Sequence, residues 1–173
     1  MNKRHPQNPE ELKKLLEWVK DAESILEIGS RYGETLVCMA RAMKGKKLVC
    51  VDLPNVEGWA DPHIVAGLKQ NVQMLRQEGF DVTLILADSH DPETLKQVGG
   101  PFDVVFIDGD HSYEGVKKDW EMYGPLGKSV IFHDIVKQPP GRAQLGVWQL
   151  WEEIKSEEFI APDSRMGIGR VTR

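Results

Sequence analysis

Two short segments end apolar runs in side chains able to move protons: FIDGDH, with Asp108, Asp110 and His111, and IFHD, with His133 and Asp134. An imidazole with an unperturbed pKa of ~6.5 can take a hydroxyl proton near neutral pH, so these two histidines are the first candidates for base chemistry. A third segment, SILEIGSRYGETLVCMA, passes from an apolar stretch through a turn holding Gly29 and Gly33 into a helix-like stretch. In open parallel sheets such a turn borders the ligand crevice. Dinucleotide sites use GxGxxG spacing, and every register fails. With Gly29 first, the other positions are Arg31 and Glu34; with Gly29 second, they are Glu27 and Tyr32; with Gly33 third, they are Ile28 and Ser30. Glu27 at the strand end also suits a doubly charged pyrophosphate poorly. Asp52 in KLVCVDLP and Asp88 in LILADSHD end the next apolar runs. An acid in the first of these places can accept hydrogen bonds from both ribose hydroxyls, with turn chemistry as the competing use.

These residues need elements to carry them. Apolar runs of strand length alternate with longer amphipathic stretches, which is a βαβ pattern. Strands are expected at Ser24–Ile28, Lys47–Val51, Val82–Leu86, Phe102–Ile107 and Lys128–Phe132, and helices at Thr35–Met43, Ile64–Gln77, Pro92–Val98, Tyr113–Met122 and Gly146–Glu157. Asn8 as cap, Pro9 in the first turn and Glu10 and Glu11 near the positive end open an earlier helix, with Leu12, Leu15, Leu16 and Val19 on one face. Glu158–Ile160 and Gly167–Val171 fit an antiparallel hairpin at the sheet edge. The expected fold is α/β: one domain over residues 1–173, a doubly wound, mostly parallel Rossmann-like sheet of five parallel strands plus that hairpin, with helices on both faces.

What the glycine turn does match is ExGxxxGxT, here Glu27, Gly29, Gly33 and Thr35. At these residues the chain resembles the class I S-adenosylmethionine-dependent methyltransferases. The resemblance implies S-adenosyl-L-methionine as cofactor, held along Glu27, Gly29, Ser30, Tyr32, Gly33 and Thr35, by Asp52 and Leu53, and by Asp108. It assigns Asp88 to the adenine amino group and Ser89 to the ring edge, while Asp91 before Pro92 reads as a helix cap. The chemistry is coherent: a sulfonium and an ammonium group tolerate carboxylates, and the cofactor's own carboxylate can use loop amides and Ser30 or Thr35.

The stretch FDVVFIDGDHSYEGVKKDWEMYGPLGKSVIFHDI is similar to the branch holding macrocin-type sugar O-methyltransferases and cephalosporin-hydroxylase-like proteins. That likeness implies a divalent metal, Mg²⁺ or Mn²⁺, on Asp108, His133 and Asp134, with His111 as general base. His133 departs from the acid common at its position, and imidazole favours Mn²⁺, Fe²⁺ or Zn²⁺ over Mg²⁺. Competing readings are a buried imidazole donating to a backbone carbonyl for His133, a loop cap for Asp134, and a helix cap or loop anchor for His111. The implied activity is metal-assisted O-methylation of a small-molecule hydroxyl on a sugar, polyol or polyphenol. Metal-independent transfer with a His base, and a catalytically idle cofactor-binding module, are the alternatives. A second copy of the chain is a candidate for closing the pocket.

Composition bounds these readings. Lys+Arg 22 against Asp+Glu 27 gives a net charge of -5, which argues against a protein that coats nucleic acid. No uncharged run approaches the ~18–20 apolar residues of a membrane span, and MNKRHPQNPEELKK has no apolar stretch that would make it a leader or anchor, so cytoplasm is the expected place. Cys38 and Cys50 lack CxxC spacing and read as buried free thiols. His5, His63 and His90 read as exposed loop residues, Trp59 as a loop residue over the sheet edge, Trp151 as core, and Trp148 as part of a dimer face. Lys117, Lys118 and Glu121 form a solvated helix face.

Overall fold

A computed structural model describes residues 8–53, 62–139 and 146–173, so the expectations for His5 and Trp59 fall outside the described residues. The helices are α1 (Pro9–Val19), α2 (Glu34–Ala42), α3 (Pro62–Gln77), α4 (Pro92–Val98), α5 (Tyr113–Tyr123) and α6 (Val147–Ile154). The strands are β1 (Ser24–Ile28), β2 (Lys47–Asp52), β3 (Asp81–Leu86), β4 (Phe102–Ile107), β5 (Gly127–His133), β6 (Glu157–Phe159) and β7 (Ile168–Thr172). They form one seven-stranded sheet in the order β3-β2-β1-β4-β5-β7-β6. The first five strands are parallel and β7 runs antiparallel to both β5 and β6. The hairpin therefore exists, but its second strand is inserted beside β5 and only β6 is an edge.

The strand sequences explain the two-faced burial. Ile25, Leu48, Cys50, Val104, Phe106 and Ile131 pack under α1, α2 and α3, while their neighbours Leu26, Val49, Val105, Val130 and Phe132 pack under α4, α5 and α6. Period-2 alternation thus feeds two apolar layers, the arrangement that near-continuous apolar strands require. Trp151 of α6 is buried against Phe132, as expected of a core residue. α6 stops at Ile154, short of the expected Glu157, which instead opens β6 and pairs with Arg170 on β7.

Each functional loop starts from a locally determined turn. Asn8 caps α1 by accepting from the Glu10 N–H at 2.9 Å, and Asp91 caps α4 by accepting from the Glu93 N–H at 2.9 Å, as the sequence indicated. Ser112 caps α5 through the Gly115 N–H at 3.0 Å. Among the described residues, no helix is long and apolar enough to cross a membrane. Cys38 and Cys50 are free thiols, Cys50 buried and Cys38 half-buried.

Candidate active site

The strand order reverses at β1, which lies between β2 and β4, so the crevice of the fold opens at the carboxyl ends of those strands. Two backbone bonds fix its floor: Gly29 N–H to the Val51 carbonyl at 2.9 Å, and Asp108 N–H to the Ile28 carbonyl at 2.8 Å. Gly29 has φ +86°, and a Cβ there would collide with the Asp108 carbonyl, so backbone conformation and space both demand glycine. The turn then brings the Arg31 N–H to Asp52 Oδ2 at 2.6 Å, which orients that carboxylate at the end of β2. Burial raises the Asp52 pKa, against the backbone donors of Arg31 and Ser30. Leu53, beside it, is 45% exposed, an apolar surface at the crevice.

Glu27 lies on β1 beneath the turn, 1% exposed, and neither of its oxygens nor the Ser30 hydroxyl makes a well-formed hydrogen bond among the described residues. Burial pushes its pKa up to about 8; Asp108 and Asp52 add to the rise and Ser30 opposes it. An acid buried without a partner is costly, and a cationic ligand above it would remove much of that cost. Tyr32 packs toward α3, where its carbonyl accepts from Asn71 Nδ2 at 2.8 Å, and Thr35 is half-buried in the first turn of α2. Asp88 is exposed after β3, with Oδ1 accepting from the His90 N–H at 2.8 Å. The Ser89 carbonyl accepts from the Tyr123 hydroxyl at 2.6 Å.

Across the crevice, β4 and β5 bring the other predicted residues together. One ligand atom from each of Asp108, His133 and Asp134 lies within 4.8 Å of the other two. His133 Nδ1 is 3.4 Å from Asp108 Oδ1 and 3.3 Å from Asp134 Oδ1. His111 faces the same carboxylates, with Nε2 3.2 Å from Asp108 Oδ1 and Nδ1 3.4 Å from Asp134 Oδ2. Neither nitrogen of the buried His133 makes a well-formed hydrogen bond among the described residues, which removes the reading of an imidazole serving a backbone carbonyl. Asp134 Oδ1 likewise makes no well-formed hydrogen bond among the described residues, and Asp134 holds a left-handed φ of +62°, uncommon outside glycine. Buried ligand atoms close to one another yet poorly bonded, with one strained backbone, form a donor set that a divalent cation would complete. The α5 cap is Ser112, so His111 is left to point at the acids. Its carbonyl is held from outside by the Gly146 N–H at 2.7 Å.

The electrostatics of this cage follow from the geometry. Burial opposes charge on Asp108, but the two imidazoles prevail and hold its pKa down at about 2. Burial likewise opposes the imidazolium of His111, and the Asp108 hydrogen bond and the Asp108 and Asp134 charges raise its pKa regardless. His133 is driven well above the ordinary histidine value by the same carboxylates, again against burial.

Sequence reasoning missed three residues here. His90 is not an exposed loop residue: its side chain is 19% exposed and its Nε2 sits 3.4 Å from Asp119 Oδ1. Asp119 and Tyr123 went unnoticed among the charged residues of α5, although Val116, Asp119 and Tyr123 share a helical face at i, i+3, i+7 spacing. His63 is exposed as expected but belongs to α3.

The fold is that of class I S-adenosylmethionine-dependent methyltransferases, and the chain matches a methyltransferase-domain family (Methyltransf_24) over residues 26–135. It belongs to that family. It is 32% identical over 99 residues to a catechol O-methyltransferase from Niastella koreensis, an overlap of 56% of this chain and 41% of that protein. Among solved structures it resembles cofactor-bound Rv0187 from MTB, at TM-score 0.74 and 16% identity, covering 98% of this chain and 82% of the other. It also resembles an O-methyltransferase from Bacillus cereus in complex with SAH, at TM-score 0.68 and 20% identity, covering 98% and 84%. The chain spans about half or less of the length of the curated relatives it matches.

Proposed function

We propose that the protein transfers a methyl group from S-adenosylmethionine to a hydroxyl of a small molecule, with a divalent ion on Asp108, His133 and Asp134 and with His111 as general base. The observation that carries this reading is the convergence of two imidazoles and two carboxylates at adjoining strand ends beside the glycine turn. When bound, the cofactor supplies an electrophilic methyl on a sulfonium, and the ion lowers the pKa of an acceptor hydroxyl.

The chain's own residues do the rest. Asp52, oriented by the Arg31 amide, accepts the ribose hydroxyls, and Leu53 offers an apolar surface to the base. Asp88, through the oxygen not used in its own turn, accepts from the adenine amino group, and Ser89 borders the ring. Gly29 lets the backbone approach the cofactor; Ser30, Tyr32, Gly33 and Thr35 line the methionine side, where Glu27 lies close enough to favour positive charge. His111 takes the acceptor proton, so only its unprotonated form works, and the rate rises with pH through the His111 pKa in the working complex. Holding the acceptor oxygen in line with the methyl supplies most of the acceleration, since a sulfonium is already a good leaving group.

A second reading, metal-independent transfer, is favoured by the fact that His111 and His133 contact the same carboxylates, so either imidazole could serve as base. The experiment is transfer of labelled methyl to a panel of sugars, polyols and polyphenols, with Mn²⁺ or Mg²⁺ and with EDTA, alongside metal analysis. His111→Ala should slow single turnover by ~10²–10⁴-fold with cofactor affinity intact. Activity that survives EDTA would install the second reading, and His111→Ala with full activity would move the base to His133.

A further inference from the structure

Beneath the loops after β3 and β4 lies a polar contact that the proposed reaction does not use. Asp119, in the middle of α5, has no exposed surface, and neither carboxylate oxygen makes a well-formed hydrogen bond among the described residues. Oδ1 is 3.4 Å from His90 Nε2. Oδ2 lies under Gly109, where a Cβ would stand 3.3 Å from it. The imidazole of His90 bridges outward from this carboxylate: its Nε2 is 3.1 Å from the Gly115 carbonyl, and its Nδ1 is 3.9 Å from Asp88 Oδ1. One turn further along α5, the Tyr123 hydroxyl donates to the Ser89 carbonyl. α5 therefore meets the 88–90 turn at two residues one helical turn apart, and the carboxylate end of that contact also lies beneath the loop that carries Asp108.

We propose that Asp119 is a positioning residue that acts through His90 to set the orientation of Asp88 toward the adenine amino group, and so fixes the preference of the site for an adenine base. The inference rests on the reading of Asp88 as the acceptor of that amino group. The physical case is one of competing acceptors. Nε2 lies between the Gly115 carbonyl at 3.1 Å and Asp119 Oδ1 at 3.4 Å, which sets the ring plane and leaves Nδ1 on the side of the Asp88 carboxylate. Asp88 Oδ1 is already committed to the His90 N–H, so a ring held in place leaves Oδ2 as the oxygen directed away from the turn. A free ring would remove the imidazole from beside the exposed Asp88 carboxylate and leave that carboxylate held by the His90 N–H. A carboxylate at full burial is costly unless it serves a partner, and the groups that ease the charge of Asp119 are the Ser89 side chain and the His90 imidazole. Asp110 and Asp88 are the other charged groups that bear on Asp119.

The test compares two ligands that differ at one edge of the base, S-adenosylhomocysteine and S-inosylhomocysteine, the second carrying a carbonyl and an N1–H where the first has the amino group and an N1 acceptor, titrated calorimetrically into the intact protein. Wild type should prefer the adenosyl ligand by 10-fold or more. Asp119→Asn, which keeps the shape of the side chain, should weaken the adenosyl ligand 5- to 20-fold and leave the inosyl ligand within 2-fold. His90→Ala should do the same, and the double variant should be no worse than either single one, because both act on one contact. Equal loss of both ligands would mark Asp119 as a purely structural residue and overturn the proposal, as would unchanged discrimination in Asp119→Asn or additive losses in the double variant. Tyr123→Phe, which frees only the Ser89 carbonyl, supplies a milder second variant with the same expected ligand dependence should Asp119→Asn fail to fold. Asp88→Ala separates the two levels: if it leaves discrimination intact, the adenine reading itself fails, whereas loss in Asp88→Ala with none in Asp119→Asn refutes only the positioning role.

Discussion

His133 distinguishes this site chemically. It stands where a third acid would make an all-oxygen ligand set, and it is 5% exposed, with neither ring nitrogen in a well-formed hydrogen bond among the described residues. Two carboxylates at 3.3 and 3.4 Å hold its ring in the cationic form above the ordinary histidine range. A divalent ion can ligate only the neutral ring, so loading the site must expel that proton. Metal affinity should therefore rise with pH through the elevated His133 pKa, and titrations in buffers of different ionisation enthalpy should reveal about one proton released per ion bound, as the linkage requires. The imidazole also predicts the choice of metal: Mn²⁺ or Fe²⁺ should bind more tightly than Mg²⁺, and His133→Asp should narrow that gap. No proton release, together with equal affinities in both proteins, would remove His133 from the ligand set.

At the scale of elements, the site depends on turns that hold short loops to helix starts. The loop from Asp108 to His111 is bounded by the Asp108 N–H bond to Ile28 and by the Ser112 cap of α5, and Asp110 Oδ1 accepts from the Ser112 N–H at 2.8 Å. Ser112→Ala should cost about 1 kcal/mol of stability, the usual worth of such a cap. Because it loosens the segment that presents His111, it should also lower kcat more than cofactor affinity, which paired denaturation and kinetic measurements would show. Much of this was legible in the sequence. Asn8 and Asp91 were read as caps, the five parallel strands were located to within a residue or so, and the acids and histidines at strand ends stood out because a parallel sheet puts strand ends on one edge, while the resemblance to methyltransferases supplied the rest of the site set and its roles. What was not legible depends on contacts between distant segments. The insertion of β7 beside β5 is a choice between edges that period-2 alternation cannot make. Asp119 looked like one more charge in KKDWE, because its burial comes from the 88–90 turn and Gly109, which no local pattern brings near. The helical spacing with Val116 and Tyr123 was the available signal, and a charge on that face outweighs a charge run as a reason to look.

Across the whole molecule, the doubly wound sheet pays for its crevice at Glu27. β1 is the central switch strand, flanked by β2 and β4, so its last residues are buried by neighbours on both sides and by α2 above. Glu27 pairs in register with Cys50 on one side and Phe106 on the other, which places a carboxyl group in the part of the sheet least able to solvate it. The folded protein consequently keeps this group protonated up to about pH 8, against an ordinary value of 4.5. Linkage gives the sign: between those two pH values the folded chain holds a proton that the unfolded chain has released, so stability falls as pH rises through the interval and levels off above it. Glu27→Gln has no proton to lose, so thermal or urea unfolding of the ligand-free protein should show a smaller decline than wild type from pH 5 to 9, with the two curves separating most near pH 8. Bound S-adenosylmethionine should reverse the comparison. Its positive charge favours the ionised acid, so wild type should gain more stability from the cofactor than Glu27→Gln does, and more from the sulfonium form than from neutral-sulfur S-adenosylhomocysteine. Parallel pH curves for the two proteins, with equal stabilisation by both ligands, would mean that Glu27 is solvated or paired in solution, and the electrostatic link between the core strand and the cofactor would be lost.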